Sequence, residues 1–375
     1  MRIGIIDADL IGRNKHRFPN LASMKISGYY KALGNEVSLL LDYQDLNQYD
    51  KVFISKVFTD TYVPQDVLNL NNVEYGGTGF FYDKAEPLSC EIEHHMPDYN
   101  LYDEWVKIQL ESGVKKSDLT YYIDYSIGFT TRGCFRKCEF CVNRNSNKVN
   151  LHSNIEEFLD PSRKYICLLD DNVLGSPQWE QIFNELNKTG KRFQYKQGMD
   201  ERLLTDKKCE VLLNSNYIGD YIFAFDNIND KELIETKLKL WNKHRKLKNK
   251  IHSTKFYVFC GFDRNSIYDE NFWRKDIEDT FERVKVLMKY NCLPYIMRHE
   301  NYNNSPYRGT YINLARWCNQ PNFYKKKSYR EFCETNQKYS KTICASMRYL
   351  QEFENKCPEV AKKYFDLRYE DLKEI

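Results

Sequence analysis

No stretch of this chain approaches the roughly 18 consecutive apolar residues that a membrane-spanning helix needs, so none is expected. The opening MRIGIIDADL is a short apolar run without the basic leader or small-residue cleavage site of an export signal. A cytoplasmic location is therefore expected, and with it reduced cysteines. Nothing repeats at a fixed period, and there is no Gly-, Ser- or Pro-rich tract, which argues against solenoids and long linkers. Net charge is nearly absent as well. A balance of +3 permits a nucleic-acid partner without arguing for one.

What is present suits a globular protein. With 42% hydrophobic residues over 375 positions, the chain can build a sizeable core, as two domains or as one with an appendage. Twelve cysteines in a reducing compartment are mostly expected to be buried thiols. The question is which of them do chemistry.

The order of elements predicts an α/β chain. Residues 1–100 read as a Rossmann-like domain: strands at RIGIID (2–7), EVSLLL (36–41), KVFISKVF (51–58) and VEYGGTGF (73–80), with a helix at LASMKISGYYKAL (21–33) stopped by Gly34. Residues 101–124, less regular, read as a connection. From 125 to 308 a strand–helix rhythm returns, with strands at YSIGFTT (125–131), YICLLD (165–170), FQYKQG (193–198), DYIFAF (220–225), KFYVFCGF (255–262) and PYIMRH (294–299). Six strands are too few for a closed eight-stranded barrel and suit a partial (β/α)6 barrel. One intervening helix is expected to begin at Ser176-Pro177. Residues 309–375 read as a helical tail, with a capping box at SYRE (328–331) and a break at Pro358.

The chemistry concentrates in GFTTRGCFRKCEFC (128–141), directly after the first barrel-like strand, on the face where such barrels carry active sites. Cys134, Cys138 and Cys141 are spaced Cys-x3-Cys-x2-Cys. Iron–sulfur clusters are normally held by four cysteines; a local set of three leaves one iron open to another ligand. Zinc is the competing reading, and a closed zinc site requires a fourth ligand, for which Cys90, His94 or His95 are the nearby candidates.

With Thr131-Arg132-Gly133 ahead of the loop and Phe140 before its last cysteine, the chain resembles the radical S-adenosylmethionine (radical SAM) superfamily over roughly residues 125–300. The resemblance extends to a radical SAM group seen in phage and gut-bacterial sequences, and names no substrate. It implies that Cys134, Cys138 and Cys141 hold a 4Fe–4S cluster whose free iron takes the amino and carboxylate groups of SAM. Reductive cleavage of SAM would then yield a 5′-deoxyadenosyl radical, with an electron donor such as flavodoxin or ferredoxin as partner. It implies Phe140 near the adenine, and Asp170 and Asp171 where the family contacts the SAM amino group, often through Gly-Gly-Glu. Gln197, Asp200 and Arg202 would reach SAM or substrate, Asp226 the ribose or methionine end, and Gly261 would let adenine approach the backbone. Any of these acids can equally be a cap or a turn residue. The substrate (RNA, peptide or small molecule) and the catalytic residues are left open. The alternative is a non-catalytic iron–sulfur or zinc module with a structural or regulatory role.

A Rossmann-like domain ahead of such a barrel resembles the superfamily's cobalamin-binding architecture, which commonly carries Asp-x-His-x-x-Gly. Here the place reads Asp7-Ala-Asp9-Leu-Ile-Gly12, and GGTG (76–79) lies where such domains put a glycine pair. Aspartate is a poor substitute for imidazole at cobalt, so a degenerate domain without cobalamin is expected. Methylthiolation of tRNA is disfavoured, because that family's extra cluster cysteines have no counterpart before Cys90. The basic run 237–250, with Leu238 and Trp241 turned inward, could contact phosphate but is read first as a solvated helix face. Cys167 and Cys260 are assigned to strand cores; Cys318, Cys333, Cys344 and Cys357 could bind an auxiliary cluster, but their long spacings within helices favour buried thiols. His299 and Glu300 are read as a strand cap or as groups acting on substrate.

Overall fold

The structure, a computed structural model, describes residues 1–13, 16–248, 252–335 and 337–373. It is an α/β chain with parallel sheets that divides into two compact units, Met1–Lys196 and Gln197–Ile375.

The first unit opens with four strands, β1 (Arg2–Asp7), β2 (Glu36–Leu39), β3 (Lys51–Ser55) and β4 (Val73–Gly76), all parallel in the order β2-β1-β3-β4. The run Ile3-Gly4-Ile5-Ile6-Asp7 is buried throughout, as a central parallel strand covered on both faces must be. The helix Leu21–Ala32 starts where the Asn20 side chain accepts the Ser23 N–H at 3.1 Å. Its Met24 and Ile26 pack with Ile3 and Ile5, while Ile6, Val52 and Ile54 form a second cluster. Strand β3 ends at Ser55, short of the predicted residue 58, because the Lys56 carbonyl accepts the Gly79 N–H at 2.9 Å and the chain turns out of the sheet.

The stretch 101–124, expected as a connection, contributes side chains to the core. It carries a helix, Asp103–Glu111, and Leu101, Tyr102, Val106, Leu119 and Tyr122 pack into the cluster around Ile3 and Ile5. Next come β5 (Tyr125–Gly128), β6 (Thr131–Arg132), β7 (Asn150–Leu151), β8 (Tyr165–Leu168) and β9 (Arg192–Tyr195). β5, β8 and β9 form a parallel sheet in that order; β6 and β7 form a two-residue antiparallel ladder. The expected strand 125–131 breaks after Gly128, since Thr130 is drawn aside by Asp170. The helix expected from Pro177 begins at Trp179 (Trp179–Lys188), because Ser176 Oγ takes the Gln178 N–H in a turn. Its Ile182, Phe183 and Leu186 are buried as their spacing predicts.

In the second unit β10 (Tyr221–Ala224), β11 (Thr254–Cys260) and β12 (Leu293–Arg298) form another parallel sheet in sequence order. Helices Lys231–Arg245 and Glu270–Lys289 separate the strands, with Leu238, Trp241, Ile277, Phe281, Val284 and Met288 buried. Residues 249 and 250 of the basic run lie outside the described residues. The tail is helical. Ser328 and Glu331 exchange side-chain-to-backbone bonds at 2.9 and 3.2 Å, a capping box, and Pro358 opens the helix Pro358–Tyr364. Cys318, Cys333 and Cys357 are buried; Cys344 is half-buried. No described helix is long and apolar enough to cross a membrane.

Candidate metal and cofactor site

The cysteine loop, residues 133–149, runs between β6 and β7, whose pairing Thr131↔Leu151 and Arg132↔Asn150 closes its base. It contains no helix or strand, so its shape depends on side-chain bonds. Two consecutive acids past β8 supply them. Asp170 is 1% exposed and accepts from the Thr130 N–H (3.0 Å) and hydroxyl (2.5 Å) and from the Thr131 N–H (2.6 Å) and hydroxyl (2.8 Å). Burial pushes its carboxyl up to about 6, against the lowering effect of these donors. Asp171 reaches the loop itself, accepting from the Gly133 N–H and from Asn143 Nδ2, each at 2.7 Å. Asp170 thus ties off the strand before the loop, and Asp171 fastens both flanks of the cysteine motif.

Gly133 is required where it stands. Its φ is +90°, and a Cβ there would lie 2.5 Å from Ser146 Oγ and 2.6 Å from the Lys148 carbonyl. Ser146 Oγ accepts the Cys134 N–H at 3.2 Å, and tight turns carry the chain from Cys138 to Cys141, Cys141 to Arg144 and Asn143 to Ser146.

All three thiols are half-buried. Cys134 Sγ accepts from the Arg136 N–H and from Asn172 Nδ2, each at 3.4 Å, and Cys141 Sγ from the Asn143 N–H at 3.4 Å. N–H donors aimed at sulfur are what metal-bound thiolates accept, and they tune a cluster's potential. Beside Cys134, the Oδ1 of Asn172 is buried and without a hydrogen-bond partner. Three reachable thiols, sulfur-directed N–H groups and an uncommitted buried acceptor fit a cluster with three protein ligands.

Among the described residues no three Cys, His, Asp or Glu side chains are grouped as a bound metal ion would need. His94, a candidate fourth zinc ligand, bonds to Glu157 at 2.7 Å and stacks on His152 with ring centroids 5.1 Å apart; His95 Nδ1 faces the Met96 carbonyl at 2.9 Å.

The residues where a cobalamin ligand would stand do not fit that group. Asp9 is 1% exposed and accepts from the Val57 N–H (2.7 Å) and the Thr61 hydroxyl (2.5 Å). Thr61 also fills the space at Gly12, where a Cβ would be 2.9 Å from its methyl. At Gly77 and Gly79 the gap is taken by Lys56: Cβ atoms there would meet its carbonyl at 2.4 and 2.9 Å. The sheet edge is packed with its own chain.

The remaining expected site residues lie in the second unit. Gln197 is exposed. Asp200 pairs with Arg202 at 2.7 Å, and Arg202 with Asp230 at 2.8 Å. Asp226 accepts the Phe259 N–H at 3.0 Å, joining β10 to β11, and burial lifts its carboxyl to about 6. Gly261 has φ +79° and gives its N–H to Asp276 at 2.8 Å; Asp276 also accepts from the Tyr311 hydroxyl at 2.6 Å. The buried Arg283 donates to the carbonyls of Phe225, Asp226 and Phe259 at 2.9–3.0 Å, holding the ends of β10 and β11. His299 Nδ1 caps the turn that follows it by accepting the Asn301 N–H at 3.3 Å. Within the first unit the structure sets Asp170 and Asp171 against the two flanks of the loop that carries Cys134, Cys138, Phe140 and Cys141, and within the second unit it pairs Asp200 with Arg202. Sequence reading missed Asn172, Asn143 and Ser146. Their signal was the density of short polar residues after Cys141 and after Asp171, the types that bond to nearby backbone.

No family profile matches the chain, and no curated protein is found as a relative. Among solved structures it is similar to the cobalamin-dependent S-adenosylmethionine radical enzyme OxsB. With aqua-cobalamin and S-adenosylmethionine bound, the TM-score is 0.38 at 11% identity; with aqua-cobalamin bound it is 0.37 at 11%; for the apo, selenomethionine-labelled form it is 0.36 at 12%. Each alignment covers 100% of this chain and 58% of OxsB, so the chain spans little more than half of that protein's length. A likeness of this depth does not establish a shared family.

Proposed function

We propose that the chain is a radical SAM enzyme in which Cys134, Cys138 and Cys141 hold a 4Fe–4S cluster. The observation that carries this reading is the cysteine loop itself: three half-buried thiols, N–H groups directed at two of the sulfurs, and a base fastened by Asp170 and Asp171 beyond β8. The bound cluster would supply the electron that cleaves SAM to a 5′-deoxyadenosyl radical. Asp171 and Asp170 hold the loop in register. Asn172 Oδ1, the buried acceptor beside Cys134, is assigned to the SAM ammonium, and Phe140 to the adenine. The reading takes residues 1–100 as a Rossmann-like domain, 125–308 as a partial (β/α)6 barrel and the residues from 309 as a helical tail. Asp200, Arg202, Asp226 and Gly261 would then serve the ribose, methionine or substrate side.

The test is anaerobic purification, cluster reconstitution and reduction with dithionite in the presence of SAM, with 5′-deoxyadenosine read by chromatography. Wild type should form it, and the Cys134→Ala/Cys138→Ala/Cys141→Ala variant should not. A protein loaded with a full cluster that neither binds nor cleaves SAM would instead be a structural or regulatory iron–sulfur module. A protein that takes zinc in place of iron would overturn the reading.

A further inference from the structure

A short helical turn after β4, Tyr82–Lys84, places two consecutive residues, Tyr82 and Asp83, on the cysteine loop. The Tyr82 hydroxyl donates to the Phe140 carbonyl at 2.5 Å, inside the motif. The Asp83 carboxylate accepts from Arg144 Nε at 2.7 Å and from Asn145 Nδ2 at 3.1 Å, just past it. Arg144 also donates to the Glu139 carbonyl at 3.0 Å and lies 5.8 Å from the centre of the Tyr82 ring. Of the Asp83 side chain 9% is exposed, and the Arg144 guanidinium holds its carboxyl below the usual range.

The route of the chain to this contact is costly. Gly77, at φ +104°, sits on the Lys56 backbone, and Thr78–Phe81 forms one short helical turn. Tyr82 itself then adopts φ +48° and ψ −110°, a conformation that a non-glycine residue keeps only when its surroundings impose it. Strain at this position, with the side chain ending on the backbone of the cysteine motif, points to a contact held for what it positions.

We infer that Tyr82 and Asp83 are positioning residues, a latch by which the N-terminal domain sets the conformation of the cysteine loop before any cluster is bound. The domain's role is then mechanical: its sheet edge, filled by Lys56 and Thr61, serves as the anchor. That the loop receives a cluster rests on the function proposed above; the latch itself does not.

The experiment uses the full chain, free of metal, with Tyr82→Phe, Asp83→Asn and the double substitution. Amide hydrogen exchange is followed over residues 134–146, with β1 and β3 as the folding control. Exchange in the loop should rise about tenfold for each single variant, the ratio expected for one net hydrogen bond, while β1 and β3 keep their protection. Asp83→Glu should restore part of the protection. After reconstitution, iron should leave the double variant faster than wild type under a chelator. Unchanged loop exchange in all three variants overturns the latch, whether or not a cluster loads. Faster loop exchange in a protein that loads no cluster keeps the latch and defeats the functional reading. If the double variant loses protection in β1 and β3, the single variants decide.

Discussion

Two strand ends in the first unit each carry a pair of nearby acids and have opposite outcomes. Asp7 ends β1 and Asp9 follows it; Asp170 and Asp171 follow β8. At the β1 edge both acids turn inward: Asp7 accepts from the Tyr102 hydroxyl at 2.9 Å and Asp9 takes Val57 and Thr61, with the glycine gaps closed by Lys56. At the β8 edge one acid is spent on Thr130 and Thr131, but the other reaches outward to fasten a loop whose thiols stay accessible. Acids at the ends of parallel strands are thus no sign of a ligand site by themselves. What distinguishes the edges is whether the neighbouring loop folds back to consume them.

The largest expected effect probes the closed edge. Burial lifts the Asp7 carboxyl to about 7, far above its value in the unfolded chain. The folded state then binds this proton more tightly, so the contribution is full below pH ~4 and is lost as pH rises toward about 7. Asp7→Asn should flatten that loss, worth roughly 4 kcal/mol, in urea unfolding measured from pH 4 to 8. A variant with the wild-type slope would show that Asp7 is not the group responsible.

Next is the shared clamp. Asp170→Ala leaves two backbone N–H groups and two hydroxyls without their acceptor, and should cost on the order of 3 kcal/mol, read in the same unfolding experiment. It should also abolish iron loading, because the loop base goes with it. Loading at wild-type level would show that β6 and β7 hold the loop unaided.

A crossed pair of glycine substitutions separates the edges. Gly77→Ala meets the Lys56 carbonyl and should lower stability by more than about 1 kcal/mol. Gly133→Ala meets Ser146 and Lys148 and should lower bound iron by about half or more, with little change in unfolding midpoint. The reverse result would mean that the two edges have been assigned the wrong roles. The smallest effect is expected at Ser146→Ala, which removes one acceptor of the Cys134 N–H. Iron should load fully but be released to a chelator a few-fold faster.

The mixed α/β character and many of the individual elements are legible in the sequence. Continuous apolar runs such as RIGIID and YICLL specify buried parallel strands, and 3.6-residue spacing specifies the inward faces of 179–188 and 270–289. The spacing of Cys134, Cys138 and Cys141 marks a candidate ligand set, because a short loop keeps its members close whatever the rest of the chain does. Strand ends were less legible: β3 and β5 stop where Gly79 and Asp170, far away in sequence, capture their next groups.

Local sequence therefore sets which segments become strands or helices, and which loop carries the thiols, since periodicity and spacing act over a few residues. The fate of each polar side chain follows from the assembled fold. Asp9, Asp170, Asp171 and Asp226 are alike in sequence, and they differ because each meets different donors brought in from segments 30–50 residues away. The latch at Tyr82 and Asp83 belongs to the same class. It joins residues about 60 positions apart, and no local pattern records a contact that exists only once two sheets have packed.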